Sequence, residues 1–395
     1  MKMRVLRIAG HITFLVLVLL YGMAAYKFQL PPYALVKAAF TRLEVLAPKE
    51  NLETSRHEDL ETPREYFETD VAQLISIRQQ QDVFRLRGRL ITLLWGAPGL
   101  PSSLPSVIEN GAKDSRYDDI TSLSRIDKLI IVMESGLESH VYHFRSKTPN
   151  NKVVLYHQGH DGDFYKGKTQ IRRFLDEGYS VVAFSMPLLG LNNQPIIQLP
   201  RLGKLRLTDH DHMKFLSPEN GHPVKYFVEP VVILLNYLKK NFDYSSVSMV
   251  GISGGGWTTT LAAAIDTRIE KSFPVAGSYP LYLRSNSPRD WGDYEQTVPE
   301  IYRTVNYLEL YILGSYGKDR KQLQIINQYD YCCFAGKKWE TYQDIVRERV
   351  VELRSGAFDL FLDDTHREHI ISENAMSRIL DELGSNGRGA GQTRD

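Results

Sequence analysis

From residue 126 onward, apolar and polar positions fall into a regular succession. Residues 128–133 and 140–144 alternate, which predicts two paired antiparallel strands. Residues 152–156 and 180–184 are short continuous apolar runs, the pattern of strands covered on both faces. A helical stretch at 169–177 separates them, and strand, helix, strand at this spacing predicts a parallel pair with a right-handed crossover. Residues 224–240 form a strongly amphipathic helical pattern, followed by a buried strand at 246–252 and a helix over 258–265. Strands are expected again at 270–276, 321–326 and 357–362, with a helix over 339–353. Ser372 is placed to cap a last helix reaching residue 383. Two stretches, about 188–223 and 279–316, show no clear period; irregular stretches of that length in a compact domain are commonly lids. Upstream, 71–81 reads as helix, 83–95 as strand and 98–113 as loop. The fold class is therefore α/β, with a mostly parallel central sheet flanked by helices and carrying lid-like insertions.

The amino-terminal end follows another pattern. Lys2, Arg4 and Arg7 precede an apolar run from Ile8 to about Tyr26 that has no polar face. Basic residues ahead of such a run read as a membrane-targeting signal whose basic end stays in the cytoplasm. Residues 1–27 are taken as a signal anchor; Gly22-Met23-Ala24 also offers a small-x-small cleavage site, so a cleaved signal peptide fits too. Either way the catalytic body is expected on the extracytoplasmic side, membrane-anchored or secreted. Residues 28–125 read as an extension and linker, 126–383 as the catalytic domain, and 384–395 as a tail too glycine-rich and polar to order.

Composition narrows the function. The 48 basic and 47 acidic residues nearly cancel, so there is no electrostatic footprint for nucleic acid. The only cysteines, Cys332 and Cys333, are adjacent, which rules out a disulfide framework and suggests two small buried hydrophobes. Asp209-His210-Asp211-His212 carries metal-ligating side chains, but alternation in a loop turns neighbours to opposite sides. These are read as solvated residues of the first insertion, and no metal or other cofactor is expected. Aromatics of the second insertion (Tyr279, Tyr282, Trp291, Tyr294, Tyr302 and Tyr307) either line a cleft or pack.

One stretch carries chemistry. Gly251-Ile252-Ser253-Gly254-Gly255 follows a buried strand and opens an Ala-rich helix, fitting the G-x-S-x-G nucleophile elbow. Together with Trp257 and the Asp266-Thr267-Arg268-Ile269 segment, it resembles the α/β-hydrolase superfamily, in particular its dienelactone hydrolase, acetyl xylan esterase and acylaminoacyl peptidase branches. The resemblance covers about residues 129–383. It implies a cofactor-free esterase or peptidase with a nucleophile, an acid and a histidine in that chain order. Only His366 and His369 follow Ser253, so one of them is the expected base. His369, just ahead of the last helix, is taken first and His366 second. The histidine turn departs from these branches in lacking their Gly-His pair. Asp330, immediately after an apolar strand, is the expected acid. The amide of Gly254 is one expected oxyanion donor, and the Gly159-His160 turn supplies the other. His157, Gln158 and Trp257 are expected to shape the substrate pocket. The leading function is hydrolysis of carboxylic esters of a small molecule, glycan or lipid through an acyl-enzyme; a peptidase, or an inactive hydrolase fold acting as a tethered binding module, are the alternatives.

Overall fold

Nine strands share one sheet in the order β1-β2-β3-β5-β4-β8-β9-β10-β11. In the computed structural model the described residues are 18, 21, 22, 62–285 and 288–384. The chain divides into two units, Met1–Arg56 and His57–Asp395, and every element named below belongs to the second. The strands are β1 (Val107–Asn110), β2 (Leu123–Val132), β3 (Glu138–Ser146), β4 (Lys152–His157), β5 (Ser180–Phe184), β8 (Ser246–Ile252), β9 (Lys271–Val275), β10 (Lys321–Asn327) and β11 (Ala357–Asp363). A separate hairpin joins β6 (Ile196–Leu199) to β7 (Gly203–Arg206). The longer helices are α1 (Gln80–Trp95), α2 (Lys168–Asp176), α3 (Lys225–Asn241), α4 (Gly254–Ile265), α5 (Tyr307–Ser315), α6 (Gln343–Glu352) and α7 (Glu373–Gly384).

The two predicted pairings are present, β2 with β3 antiparallel and β4 with β5 parallel. β1–β2, β2–β3 and β3–β5 are antiparallel, and every contact from β5 through β4, β8, β9 and β10 to β11 is parallel. Parallel strands are covered on both faces, which is why β4, β5 and β8 read as unbroken apolar runs. Successive side chains divide between the faces. Val153, Leu155, Val182 and Phe184 join a core with α1, α3, α4, α5 and α6, whereas Val154, Tyr156, Val181 and Ala183 join a second with α2 and α7. With six parallel strands aligned, the loops after β4, β8, β10 and β11 emerge along one edge, where ligand sites form in such sheets.

Residues 83–95 are helical, which corrects the expected strand. Val83, Leu86, Leu90 and Leu94 are buried along one side of α1, at three- and four-residue spacing, and the alternating apolar pairs in this window are incidental to that period. Gln79 and Asp82 close a capping box, and Gly96 ends the helix at φ 70°. Arg87 is buried on the same side and donates to the carbonyls of Ala264 in α4 and Leu313 in α5, fastening α1 across both. Residues 98–113, expected as loop, include edge strand β1. Residues 62–125 thus belong to the same compact unit as the sheet. The first insertion holds the β6–β7 hairpin and a 3-10 turn, His210–Phe215; the second holds the short helices Pro288–Trp291, Tyr294–Thr297 and Pro299–Thr304 before α5. The predicted membrane segment, apart from helical Val18, Tyr21 and Gly22, lies outside the described residues, as do residues 385–395. Among the described residues no helix is long and apolar enough to cross a membrane.

Replacing Leu90, fully buried in α1, by alanine should lower unfolding free energy by about 2–5 kcal/mol. Urea denaturation should show the fall with an unchanged slope; a change below about 1 kcal/mol would mean that α1 is not docked as described.

Candidate active site

Ser253 joins β8 to α4 at φ 57° and ψ −126°, a conformation that costs a non-glycine residue about 1–3 kcal/mol. The turn holds it by close approach. A side chain at Gly251 would strike the Gly255 carbonyl, and one at Gly255 would strike the carbonyl of His157 at the end of β4. Ser253 N–H donates to Val275 O at 2.9 Å, and Ser253 O accepts from Trp257 N–H at 2.9 Å, anchoring the residue to β9 and α4. Its side chain is left half-buried at the carboxyl edge of the sheet. Gly254 opens α4, so its N–H has no acceptor within the helix. Gly159 lies over the serine; a Cβ there would come within 2.6 Å of Ser253 Cβ.

The loops after β10 and β11 bring Asp330 and His369 together. His369 Nδ1 donates to Asp330 Oδ2 at 2.6 Å. Asp330 is buried and is held by the Cys332 N–H on Oδ1 (2.8 Å) and the Asn327 amide on Oδ2 (3.3 Å). With Nδ1–H committed to the carboxylate, the neutral ring presents a bare Nε2, which is buried and has no hydrogen-bond partner. Ser253 Oγ and this nitrogen are therefore not bonded to each other. Burial works to lower the imidazole pKa, but the hydrogen bond and charge of Asp330, with Cys332 and Asp161, outweigh it and raise the value.

His366 is differently placed. Its Nε2 lies 3.4 Å from Asp363 Oδ2 and its Nδ1 3.8 Å from Glu368. Asp363 is fully buried at the end of β11 and also accepts from Thr365, Asn374 and Ser372. Burial pushes its pKa up, yet these bonds hold it well below the usual carboxylate range. The Asp363–His366 pair thus braces the turn between β11 and α7, and Asp330 partners His369 alone of the two.

Three expectations of substrate contact are corrected. His157 stacks on Phe184, its Nδ1 is bonded to the Gln158 carbonyl at 2.9 Å, and burial lowers its pKa to about 4. Gln158 accepts from Tyr156 OH at 2.5 Å. Trp257 is fully buried and donates to Tyr302 OH at 2.8 Å. All three support the turn from inside. In the second insertion Tyr279, Tyr302 and Tyr307 are buried, the latter two stacked 4.5 Å apart, while Trp291 is 52% exposed. The cysteines also differ from expectation: both are free, only part-buried and next to the Asp330–His369 pair. A hydrogen bond from Cys333, with help from His369, lowers the pKa of the Cys332 thiol.

One cluster joins residues that the sequence kept apart, His160 and His210, with an acid it did not mark. His160 Nε2 faces Glu295 Oε1 at 3.0 Å, Asp293 Oδ2 at 3.1 Å and His210 Nδ1 at 3.1 Å. The His160 ring packs over Gly254, so this group adjoins the nucleophile turn. Glu295 is fully buried; burial would raise its pKa, but His210 and His160 lower it to about 2. His210 is buried as well, against the expectation of a solvated loop. Nothing in the local sequence marks Glu295, which follows Asp293 and Tyr294 like an ordinary exposed acid; only burial identifies it.

No family model matches the sequence, and no curated protein is detectably similar to it. Solved structures do match. An acetyl xylan esterase from Paenibacillus sp. R4 is 15% identical and aligns over 79% of this chain and 99% of its own, with a TM-score of 0.50. An acetyl xylan esterase from a Thermoanaerobacterium species is 12% identical over 80% and 98% of the two chains, TM-score 0.48. An esterase of Pyrococcus furiosus is 16% identical over 71% and 98%, TM-score 0.47. The fold comparison rests on the first. The chain has the α/β-hydrolase fold.

Because folding raises the His369 pKa, its pairing with Asp330 adds stability that is complete below the unfolded imidazole value, about 6.5, and is lost as pH rises through the folded value. Asp330→Asn should therefore destabilise the protein more at about pH 5.5 than at about pH 9, measured by urea unfolding; an equal loss at both would show that His369 is not ionically coupled to Asp330.

Proposed function

We propose that this α/β-hydrolase-fold chain is a serine hydrolase that cleaves carboxylic esters of small molecules or glycans. The observation that carries the reading is the buried, unpartnered Nε2 of a histidine whose other nitrogen is bonded to a buried aspartate, on the sheet edge that also presents a strained serine. In this mechanism Ser253 Oγ attacks the ester carbonyl carbon and its proton passes to His369 Nε2. Asp330 keeps Nδ1 protonated and balances the imidazolium. The carbonyl oxygen, now an anion, accepts from Gly254 N–H and from an amide of the Gly159–His160 turn. Collapse breaks the bond to the leaving alkoxide, which takes the proton from His369 Nε2. Water then repeats the sequence on the acyl-serine, with His369 as base, releasing the acid and restoring Ser253. The named activity of the fold neighbours favours acyl esters on glycans as the first substrates to try.

We further propose that residues 1–27 tether the enzyme to a membrane with its catalytic body on the extracytoplasmic side. The support is the basic cluster of Lys2, Arg4 and Arg7 ahead of the apolar run.

Ser253→Ala should abolish both p-nitrophenyl acetate hydrolysis and labelling by a fluorophosphonate. His369→Gln should lower kcat by about 10³–10⁴-fold, whereas His366→Gln should stay within about tenfold of wild type once folded. The reverse ranking of the two histidine variants would reassign the base, and labelling that survives Ser253→Ala would remove the reading. Since His369 acts unprotonated, kcat/KM should rise with pH on a limb lying above about 6.5. In Asp330→Asn the residual activity should show that limb at lower pH.

A further inference from the structure

The cluster beside Gly254 draws on three segments that are remote in sequence. His160 belongs to the turn after β4, His210 to the 3-10 turn of the first insertion, and Glu295 to the Tyr294–Thr297 helix of the second. His210 and Glu295 are almost inaccessible to water. The tautomer of His210 follows from its surroundings: Nε2 lies 3.0 Å from the Pro187 carbonyl, which can only accept, so Nε2 carries a hydrogen. In the neutral ring Nδ1 is then a lone pair. That lone pair faces Glu295 Oε2 at 3.2 Å, and Oε2 is a buried carboxylate oxygen with no hydrogen-bond partner. Two electron-rich atoms this close in a dry interior need a positive centre between them.

The spacing suits a metal ion. Nδ1 of His210, Nε2 of His160 and the Glu295 oxygens are separated by 3.0–3.2 Å. In a tetrahedron with ligand bonds of about 2.0–2.1 Å, donors stand roughly 3.3 Å apart. Asp293 Oδ2, 3.1 Å from His160 Nε2 on the exposed side, is within reach as a fourth ligand. The surroundings are rigid. Tyr302 OH donates to the Glu295 carbonyl at 2.8 Å and is itself fixed by Trp257 and Tyr307, while the His210 ring packs edge-on against Phe227. Two imidazoles with one or two carboxylates are a donor set for Zn²⁺.

We propose that His160, His210 and Glu295 bind a Zn²⁺ ion, with Asp293 or water in the fourth position, and that the ion clips both insertions to the turn after β4, which packs against the turn that carries Ser253. This replaces the expectation of no metal drawn from the sequence. The role is structural: the ion joins segments, and Ser253 and His369 are not among its ligands. A proton shared between His210 and Glu295 would hold a similar arrangement without metal, so the experiment must separate the two.

The test uses the full-length chain without a histidine tag, stripped with chelator and titrated with Zn²⁺ and with Co²⁺. One equivalent of each should bind, Co²⁺ giving the intense visible absorption of a tetrahedral site. X-ray absorption of the zinc protein should show only nitrogen and oxygen neighbours at about 2.0–2.1 Å. Glu295→Gln and His210→Ala should each weaken binding by at least about 100-fold, and the exposed Asp293→Asn by about tenfold if either buried variant fails to fold. Zinc should also raise the thermal midpoint of wild type and of Ser253→Ala alike, so an inactive enzyme leaves this test intact. No stoichiometric binding by wild type overturns the proposal. So does a sulfur shell at about 2.3 Å, which would place the ion at Cys332, Cys333 and His369 instead.

Discussion

A serine held at φ 57° between a buried strand and a buried helix is the constraint on which the rest of the architecture turns. α4 passes so close to β8, β4 and β9 that Gly251, Gly255 and Gly256 have no room for a side chain, and the turn after β4 delivers Gly159 against the serine. Such strain persists only where the surroundings over-determine it. Here that is done by β9 accepting the serine amide and by the full burial of α4 between the sheet and α1, α3 and α5. The core beneath the turn is thus part of the site. It stores a backbone geometry that no local sequence preference would choose.

Two aspartate–histidine pairs hang from the same pair of strands, and their surroundings assign them different work. Asp363 accepts from three side chains of its own loop and helix, with His366 beside it at 3.4 Å as one brace among several. Asp330 is held by one backbone amide and one asparagine, which fix its direction and leave His369 as its ionic partner. What distinguishes them is the anchored nitrogen: Nδ1 of His369 is bonded to Asp330 at 2.6 Å and leaves Nε2 open, whereas neither ring nitrogen of His366 makes a hydrogen bond.

Much of this was legible from sequence because burial on both faces leaves a plain signature. Continuous runs such as 152–156 and 180–184 admit few alternatives, and the elbow glycines mark where strand meets helix. Helix α1 reads as a strand because Phe84, Leu86, Leu90 and Leu94 also fit a two-residue alternation; burial of Val83, Leu86, Leu90 and Leu94 along one side is what the helix serves. The two insertions were legible only as interruptions, since their hairpin and short helices take their order from contacts far away in the chain. His157, Gln158 and Trp257 read as pocket residues because they adjoin the two turns around Ser253; their burial against Phe184, Tyr156 and Tyr302 turns them inward instead. Glu295 carried no signal at all, because an acidic residue announces burial only through partners that fold in from elsewhere.

The burial of that one carboxylate bears on what the second insertion is. Its aperiodic sequence reads as a lid, yet moving residues 293–297 from the sheet edge would strip Glu295 of both histidine contacts and leave a buried carboxylate to be rehydrated. The segment is in this sense a wall, fixed in place by a side chain.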